Sequence, residues 1–190
     1  AGALALTNAE FLTGLVVSQL VSEGAPILYG GNSGPLDMKT MVGLYNAPDV
    51  YQTLSMGKEM ALFYNLPDFN YGGHSDSKMV DLQATVEAAI SIFQIGIKGG
   101  NLNHDVGYME SGMSHSLPMV VLCDEIIGQT RHFKKAPEIN EETLALDVIH
   151  QVGPGGNFIN NQHTFKNFRK IWYGTIFDTR IFQNWEKNGS

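Results

Sequence analysis

The sequence predicts an α/β fold, parallel strands alternating with helices as part of a TIM (β/α)8 barrel, and three observations carry that reading. Segments with apolar residues at helical spacing alternate with short apolar runs. Nearly every change is punctuated by glycine or proline, as at Gly24, Gly72-Gly73, Gly99-Gly100 and Gly153-Pro154-Gly155-Gly156. Strand followed by helix, repeated with short connections, implies parallel neighbours joined by right-handed crossovers that lay helices on the sheet faces. The strand count is low: three or four are offered, whereas an eight-stranded barrel typically needs about 250 residues. Because an open sheet leaves backbone unpaired at its edges, residues 1–190 are expected to be part of a larger barrel, or to complete one in a homo-oligomer.

Each element follows from local chemistry. Thr7 and Glu10 form a capping-box pattern, and Leu12, Leu15, Val16 and Leu20 recur at helical spacing up to Gly24. Pro26 to Tyr29 is a predicted strand opening into the loop Gly30-Gly31-Asn32-Ser33-Gly34. Asn46 is the predicted cap of the next helix, with Pro48 in its first turn and an apolar face of Met56, Met60, Phe63 and Tyr64. A second strand, Phe69 to Tyr71, leads to Gly72 and Gly73. The third helix carries Leu82, Val86, Ala89, Ile90, Phe93 and Ile97 on one stripe, with Asp81 in the first turn where the helix dipole favours an anion. Asn101 to Val106 is a weaker strand, and Pro118 begins a helix that turns Met119, Leu122, Cys123 and Ile126 inward. Asn140 caps a shorter helix over Leu144 and Val148, and Phe165, Phe168 and Trp172 mark a last helical pattern.

Composition excludes several classes of function. With 43% hydrophobic and 16% charged residues, the chain can bury a core and is not disordered. A net charge of -7 has the wrong sign for neutralising nucleic-acid phosphates. The imbalance is local: residues 1–130 carry -9 and residues 131–190 carry +2. An acidic surface raises the local concentration of cationic small molecules, and it also serves solubility. Charge-free runs such as Phe11 to Ser22 are shorter than the roughly 18 residues of a spanning helix, so neither a membrane segment nor a signal peptide is expected. The one cysteine, Cys123, allows no internal disulfide and no thiol-rich zinc site, which points to a reducing, cytoplasmic setting.

In parallel sheets, ligands bind beyond the C-terminal ends of the strands. The loops that lead into helices there gather Asp37, His74, Asp76, Lys78, His104, Asp105, Glu110 and His115, interleaved with Tyr29, Tyr71 and Tyr108. Asp76 or Ser77 serves equally well as a helix N-cap. Lys78 is an unfavourable charge at a helix N-terminus, which singles it out. Glu110, between two glycines in the stretch Gly107 to Gly112, reads as a functional acid or a turn residue. His74, His104 and His115 lack the spacing of a helical metal motif, so no bound metal is predicted. A metal-dependent hydrolase or lyase using these histidines with Asp105 stays open as an alternative, as does a non-catalytic fragment.

The stretches GAPILYGG, LDMKT, SDSKMVDLQATVE, GYMESG, CDEI and ETLALDVIHQVGPGGNFINNQHT resemble, in order, the corrinoid-dependent trimethylamine methyltransferase family, which includes relatives acting on glycine betaine. The resemblance implies the C-terminal portion of a TIM-barrel methyltransferase. Such an enzyme moves a methyl group from a methylated amine to the cobalt of a separate corrinoid protein, its partner. It also implies roles for residues here: Glu110, Asp76 and Lys78 as the catalytic group, and Tyr29, Tyr71, Tyr108, His74 and His115 around the substrate. Aromatic faces and nearby carboxylates suit a quaternary ammonium. Trimethylamine-specific members carry pyrrolysine, which this chain does not show, so the resemblance favours a quaternary amine such as glycine betaine, and trimethylamine instead if the gene has an amber codon at that position.

Overall fold

The computed structural model describes residues 1–31 and 33–187; Asn32 of the predicted glycine loop and residues 188–190 lie outside the described residues. It is mixed α/β, mostly helical with short strands, and it divides into two compact units, Ala1–Thr130 and Arg131–Ser190.

The first unit runs α1 (Gly2–Val21), the antiparallel pair β1 (Leu36–Asp37) and β2 (Val42–Gly43), α2 (Pro48–Phe63), β3 (Phe69–Tyr71), α3 (Leu82–Ile97) and β4 (Leu102–His104). It continues with β5 (Tyr108–Met109), a 3-10 turn (Glu110–Gly112), β6 (Ser114–His115) antiparallel to β5, and α4 (Leu117–Phe133), whose last residues begin the second unit. The second unit holds α5 (Glu141–Leu144), α6 (Leu146–Val152), α7 (Gln162–Asn167) and α8 (Phe182–Lys187). Asn140 caps α5 by accepting from the Thr143 N–H at 2.9 Å, as its sequence position predicts. Ala145, at φ 48°, then breaks the single predicted helix into α5 and α6.

The predicted strand–helix alternation is present where it matters for the site. β3 and β4 pair in parallel with Phe69, Asn70 and Tyr71 opposite Leu102, Asn103 and His104. Tyr29 makes a parallel bridge to Asp68, all that forms of the strand predicted from Pro26 to Tyr29. No closed barrel forms among the described residues.

Several helix details differ from expectation. Thr7 lies inside α1, which starts at Gly2, and its hydroxyl meets Ser33 Oγ at 2.9 Å. α1 is long and apolar enough, by length and composition, to cross a membrane, with a mean hydropathy of 1.4. The expectation of no such segment counted only charge-free runs, and one acid, Glu10, interrupts this one without making it polar. One face of α1 nevertheless has protein partners: Phe11 packs on Tyr29 with centroids 4.4 Å apart, and Asn8 bonds the hydroxyls of Tyr29 and Tyr64. At α2 the cap position is Ala47, without a side-chain bond, and Asn46 instead accepts from Tyr51 Oη at 3.0 Å.

The faces of α2 and α3 are the larger correction. In α3 the predicted stripe of Leu82, Val86, Ala89, Ile90, Phe93 and Ile97 is exposed except at Ala89, which is half-buried against the core, whereas Ala84, Ala88, Ser91, Ile92 and Ile95 are buried. α2 buries Val50, Leu54, Gly57, Lys58 and Ala61 most deeply; of its predicted face, Met56, Met60 and Tyr64 are half-buried and Phe63 faces out. Close approach explains the choice. A Cβ on Gly72 would stand 2.7 Å from Ile95 Cδ1 and 3.3 Å from Ser91 Cβ, so the helix lies nearly against the strand end and only small residues fit between. Ala84, Ala88 and Ile92 then join Met109, Met119, Cys123 and Ile126 in one cluster.

At the start of β3 and β4 a buried ion pair locks the two strands. Lys58 Nζ donates to Asp68 Oδ1 at 2.9 Å and to Asn101 Oδ1 at 3.0 Å, and the Asn101 N–H returns to Asp68 Oδ1 at 2.8 Å. Asn70 bonds the other Asp68 oxygen. Asp68→Ala strands a buried ammonium and is expected to destabilise the chain by about 3–5 kcal/mol, whereas the double change Lys58→Met with Asp68→Leu should recover most of that loss. Urea denaturation of both variants checks this; equal losses would mean the pair is not what holds the strands.

Candidate active site at the strand ends

The loops following β3 and β4 are tied into one rim. Gly107 N–H donates to the Gly73 carbonyl at 2.8 Å, Ser75 N–H to Tyr108 at 2.9 Å, and Glu110 N–H to Ser77 at 2.9 Å. Gly73 makes this possible: it sits at φ +83°, and a Cβ there would press within 3.3 Å of the Val106 Cα.

Inside the rim sits an aromatic cluster. His74 is buried, 1% exposed, and its ring lies 5.4 Å from Tyr71 and edge-on to Tyr45 at 5.7 Å. Tyr45 and Tyr71 meet edge-to-face at 5.9 Å, and His104 adds a further ring 6.0 Å from Tyr71. His104 stacks on Phe69 at 4.4 Å and donates Nδ1–H to Asp105 Oδ1 at 2.6 Å. Because a carbonyl can only accept, the 3.3 Å contact with the Tyr45 carbonyl assigns the hydrogen to His74 Nε2. His74 Nδ1 is buried without a partner among the described residues.

Carboxylates ring this cluster. Asp76 Oδ2 accepts the Asn46 N–H at 3.1 Å and Oδ1 accepts Ser111 Oγ at 2.8 Å. Glu87 on α3 accepts Ser75 Oγ at 2.6 Å and the Asp76 N–H at 2.9 Å. Burial holds the His74 imidazole below its ordinary pKa, against the pull of the Tyr45 carbonyl and of Asp105, Asp76 and Glu87. Burial chiefly, with Tyr45 and Asp105, pushes the Tyr71 phenol up to about 12, and burial with Glu87, Asp76 and Tyr71 does the same to Tyr51.

The structure gathers part of the predicted set. Tyr71, His74 and Asp76 share this rim, and Glu110 joins it through its backbone, at φ 53°, with its side chain exposed. Lys78 is exposed, its ammonium donating to the Asp76 carbonyl at 2.8 Å, and Asp81, not Asp76 or Ser77, caps α3 through the Ala84 N–H. Tyr108 and His115 pair edge-on at 5.4 Å on the β5–β6 hairpin. Tyr29 is held elsewhere, between Phe11 and Tyr64. Asp37 holds its own hairpin turn, accepting from the Lys39 N–H and Thr40 Oγ1. No group of three or more His, Cys, Asp or Glu could hold a metal ion among the described residues. Tyr45, Tyr51 and Glu87 went unremarked in the sequence, although an aromatic just before Asn46-Ala47-Pro48 signals a ring at a loop-to-helix junction.

Against known proteins, the whole chain, residues 1–190, matches the trimethylamine methyltransferase (MTTB) family. The chain belongs to the trimethylamine methyltransferase family. It is 34% identical over 189 residues to a glycine betaine methyltransferase of Desulfitobacterium hafniense strain Y51, covering 98% of this chain and 40% of that protein. It is also 34% identical to the trimethylamine methyltransferase MttB of Desulfitobacterium hafniense strain DSM 10664 / DCB-2, covering all of this chain and 38% of that one. An MttB of Methanosarcina thermophila is 30% identical, with 100% and 39% covered. This trimethylamine methyltransferase family chain thus spans about 40% of the length of the curated relatives it matches.

The depressed His74 pKa has a consequence for stability. Below the ordinary imidazole pKa of about 6.5 the unfolded chain takes up a proton that folded His74 refuses, so this contribution, full at higher pH, is lost as pH falls from there towards the folded value. His74→Gln should flatten the fall in urea midpoint between about pH 7.5 and 5.5; an unchanged slope would show that His74 titrates as a solvated ring.

Proposed function

We propose that the rim of Tyr45, Tyr71 and His74 is one wall of a pocket for a methylated, quaternary amine in a corrinoid-dependent methyltransferase. The observation that carries this is the pairing of half-buried aromatic rings with carboxylates from three segments, Asp76, Glu87 and Asp105, at the C-terminal ends of parallel strands. Family membership supports the reaction class, and the glycine betaine relative supports a quaternary substrate.

The transfer is an in-line displacement in which the amine nitrogen leaves with the bonding pair. A corrinoid protein, as separate partner, supplies the cobalt nucleophile. This chain's share is to bind and orient the cation and to keep water from it. Rings at Tyr45 and Tyr71 present faces to the ammonium, each contact worth about 0.5–2 kcal/mol. Glu110, exposed at the lip, adds negative charge on the approach. The exposed stripes on α1 and α3 and the short parallel sheet fit the C-terminal portion of a TIM barrel that further protein, or a second copy, completes. Buried Cys123, its thiol pushed by burial up to about 11, fits a reducing cytoplasm.

The deciding experiment assays methyl transfer by the complete methyltransferase carrying this sequence, with a panel of methylated amines and reduced cobalamin followed by absorbance. Tyr71→Ala should weaken the preferred amine by about 3- to 30-fold while Tyr71→Phe, which keeps the ring, stays within about twofold. Glu110→Gln should lower turnover or affinity modestly. No methylcobalamin with any amine would sink the reading, and unchanged kinetics would remove the substituted residue from the site.

A further inference from the structure

We infer that Glu87 is the positioning residue of this rim, acting through Asp76 to hold Tyr45 and His74 in place. Glu87 stands on the second turn of α3, a helix anchored in the core by Ala84, Ala88 and Ile92. One of its oxygens accepts both Ser75 Oγ, at 2.6 Å, and the Asp76 N–H, at 2.9 Å. The other accepts Gln83 Nε2 at 2.9 Å, which orients the carboxylate along the helix. Asp76, so held, spends both of its oxygens on other loops: Asn46 N–H before α2 and Ser111 Oγ in the 3-10 turn after β5.

The Asn46 contact is the one that reaches the rings. Tyr45 precedes it, its carbonyl accepts from His74 Nε2, and its ring meets both Tyr71 and His74. At the far side, a Cβ on Gly112 would lie 3.8 Å from Tyr45 Oη, so the turn that Ser111 pins also borders the Tyr45 phenol. Three loops distant in sequence are therefore referred to one helix through two carboxylates. With both its oxygens engaged, Asp76 is a strut of the pocket in place of a group that touches substrate. The purpose of the held rings rests on the amine-pocket reading; the strut itself does not.

Backbone amide exchange and ring spectra of the 190-residue chain, compared with Glu87→Ala and Glu87→Gln, test this. In Glu87→Ala the Asn46 amide, which Glu87 does not touch, should exchange about tenfold faster or more, and the Tyr45 and His74 ring signals should move. Glu87→Gln keeps an acceptor oxygen for Ser75 and Asp76 and should stay within about twofold of the parent chain. Faster exchange at Asp76 alone, with Asn46 still protected, overturns the inference, as does a Gln variant that behaves like Ala. Should Glu87→Ala not fold, Ser75→Ala, which removes one of the two bonds to Glu87 together with the Ser77 N–H bond to Ser75 Oγ and leaves α3 intact, must raise Asn46 exchange in the same direction, and unchanged exchange there overturns the inference. Tetramethylammonium titrated into the complete methyltransferase carrying the same substitutions separates the two readings. Binding lost in Glu87→Ala and kept in Glu87→Gln supports both, and no binding to the complete unsubstituted methyltransferase sinks the amine pocket while the exchange data still decide the strut.

Discussion

The rim depends first on the register of β3 against β4, and the buried Lys58–Asp68 pair is what fixes that register. A parallel pair only three residues long has little backbone bonding with which to choose its own alignment. The shared partner Asn101 supplies the choice: its side-chain oxygen faces Lys58 and the Asp68 N–H, and its own N–H meets Asp68 Oδ1. A slip by one residue would leave an ammonium and a carboxylate buried without these partners. With the register set, Tyr71 lies opposite His104 at the other end of the strands, and the rings of the rim inherit their spacing from charges at its base.

From that base the loops climb through close contacts that only small residues allow. Gly72 and Gly73 bring the strand end against Ser91, Ile92 and Cys123, with Gly73 N–H donating to Ser91 Oγ at 3.0 Å and Cys123 Sγ donating to the Gly73 carbonyl. This is why hydrophobic periodicity misread α3. Periodicity weighs side chains by size, and the large apolar residues of the predicted stripe, Leu82, Val86, Ile90 and Ile97, are exposed. The face that meets the strands is chosen by how near the backbone must come. The parallel strands were legible because glycine pairs punctuate them: Phe69–Tyr71 falls where the sequence puts it and Leu102–His104 lies within the predicted run, whereas the two-residue strands of the β1–β2 and β5–β6 hairpins lie in stretches with no predicted strand.

Legibility of the site was uneven for a similar reason. Residues on loops directly after strands, Tyr71, His74 and Asp76, could be read as rim residues because topology alone puts them there. Tyr29 follows the same rule in sequence, yet it pairs alongside Asp68, and Phe11 and Tyr64 claim its ring. Tyr45 and Glu87 could not be read that way. One belongs to a loop that reaches the rim from the hairpin side, and the other to a helix whose polar positions look like solvated surface until the Ser75 and Asp76 contacts are seen. Long-range hydrogen bonds have no signature in a single sequence.

The titrating groups of the rim act as probes of its field. His74 and Tyr71 are both kept neutral by burial, so neither contributes a positive or negative charge to the cluster at neutral pH. Burial is the larger influence on both His74 and Tyr51; beside it, Asp76, Glu87 and Asp105 favour the charged His74 imidazole, and Glu87 and Asp76 push the Tyr51 phenol upward, both in the sense of a negative local potential. Neutral rings in a negative field make a surface that favours a cation by attraction at a distance and by ring quadrupoles at contact. An anion there would meet repulsion with no compensating donor charge among these groups. A neutral amine would gain little from the field. On these groups, charge is set before shape: the field comes from carboxylates fixed by the loop backbone, whereas the shape comes from the rings those loops carry.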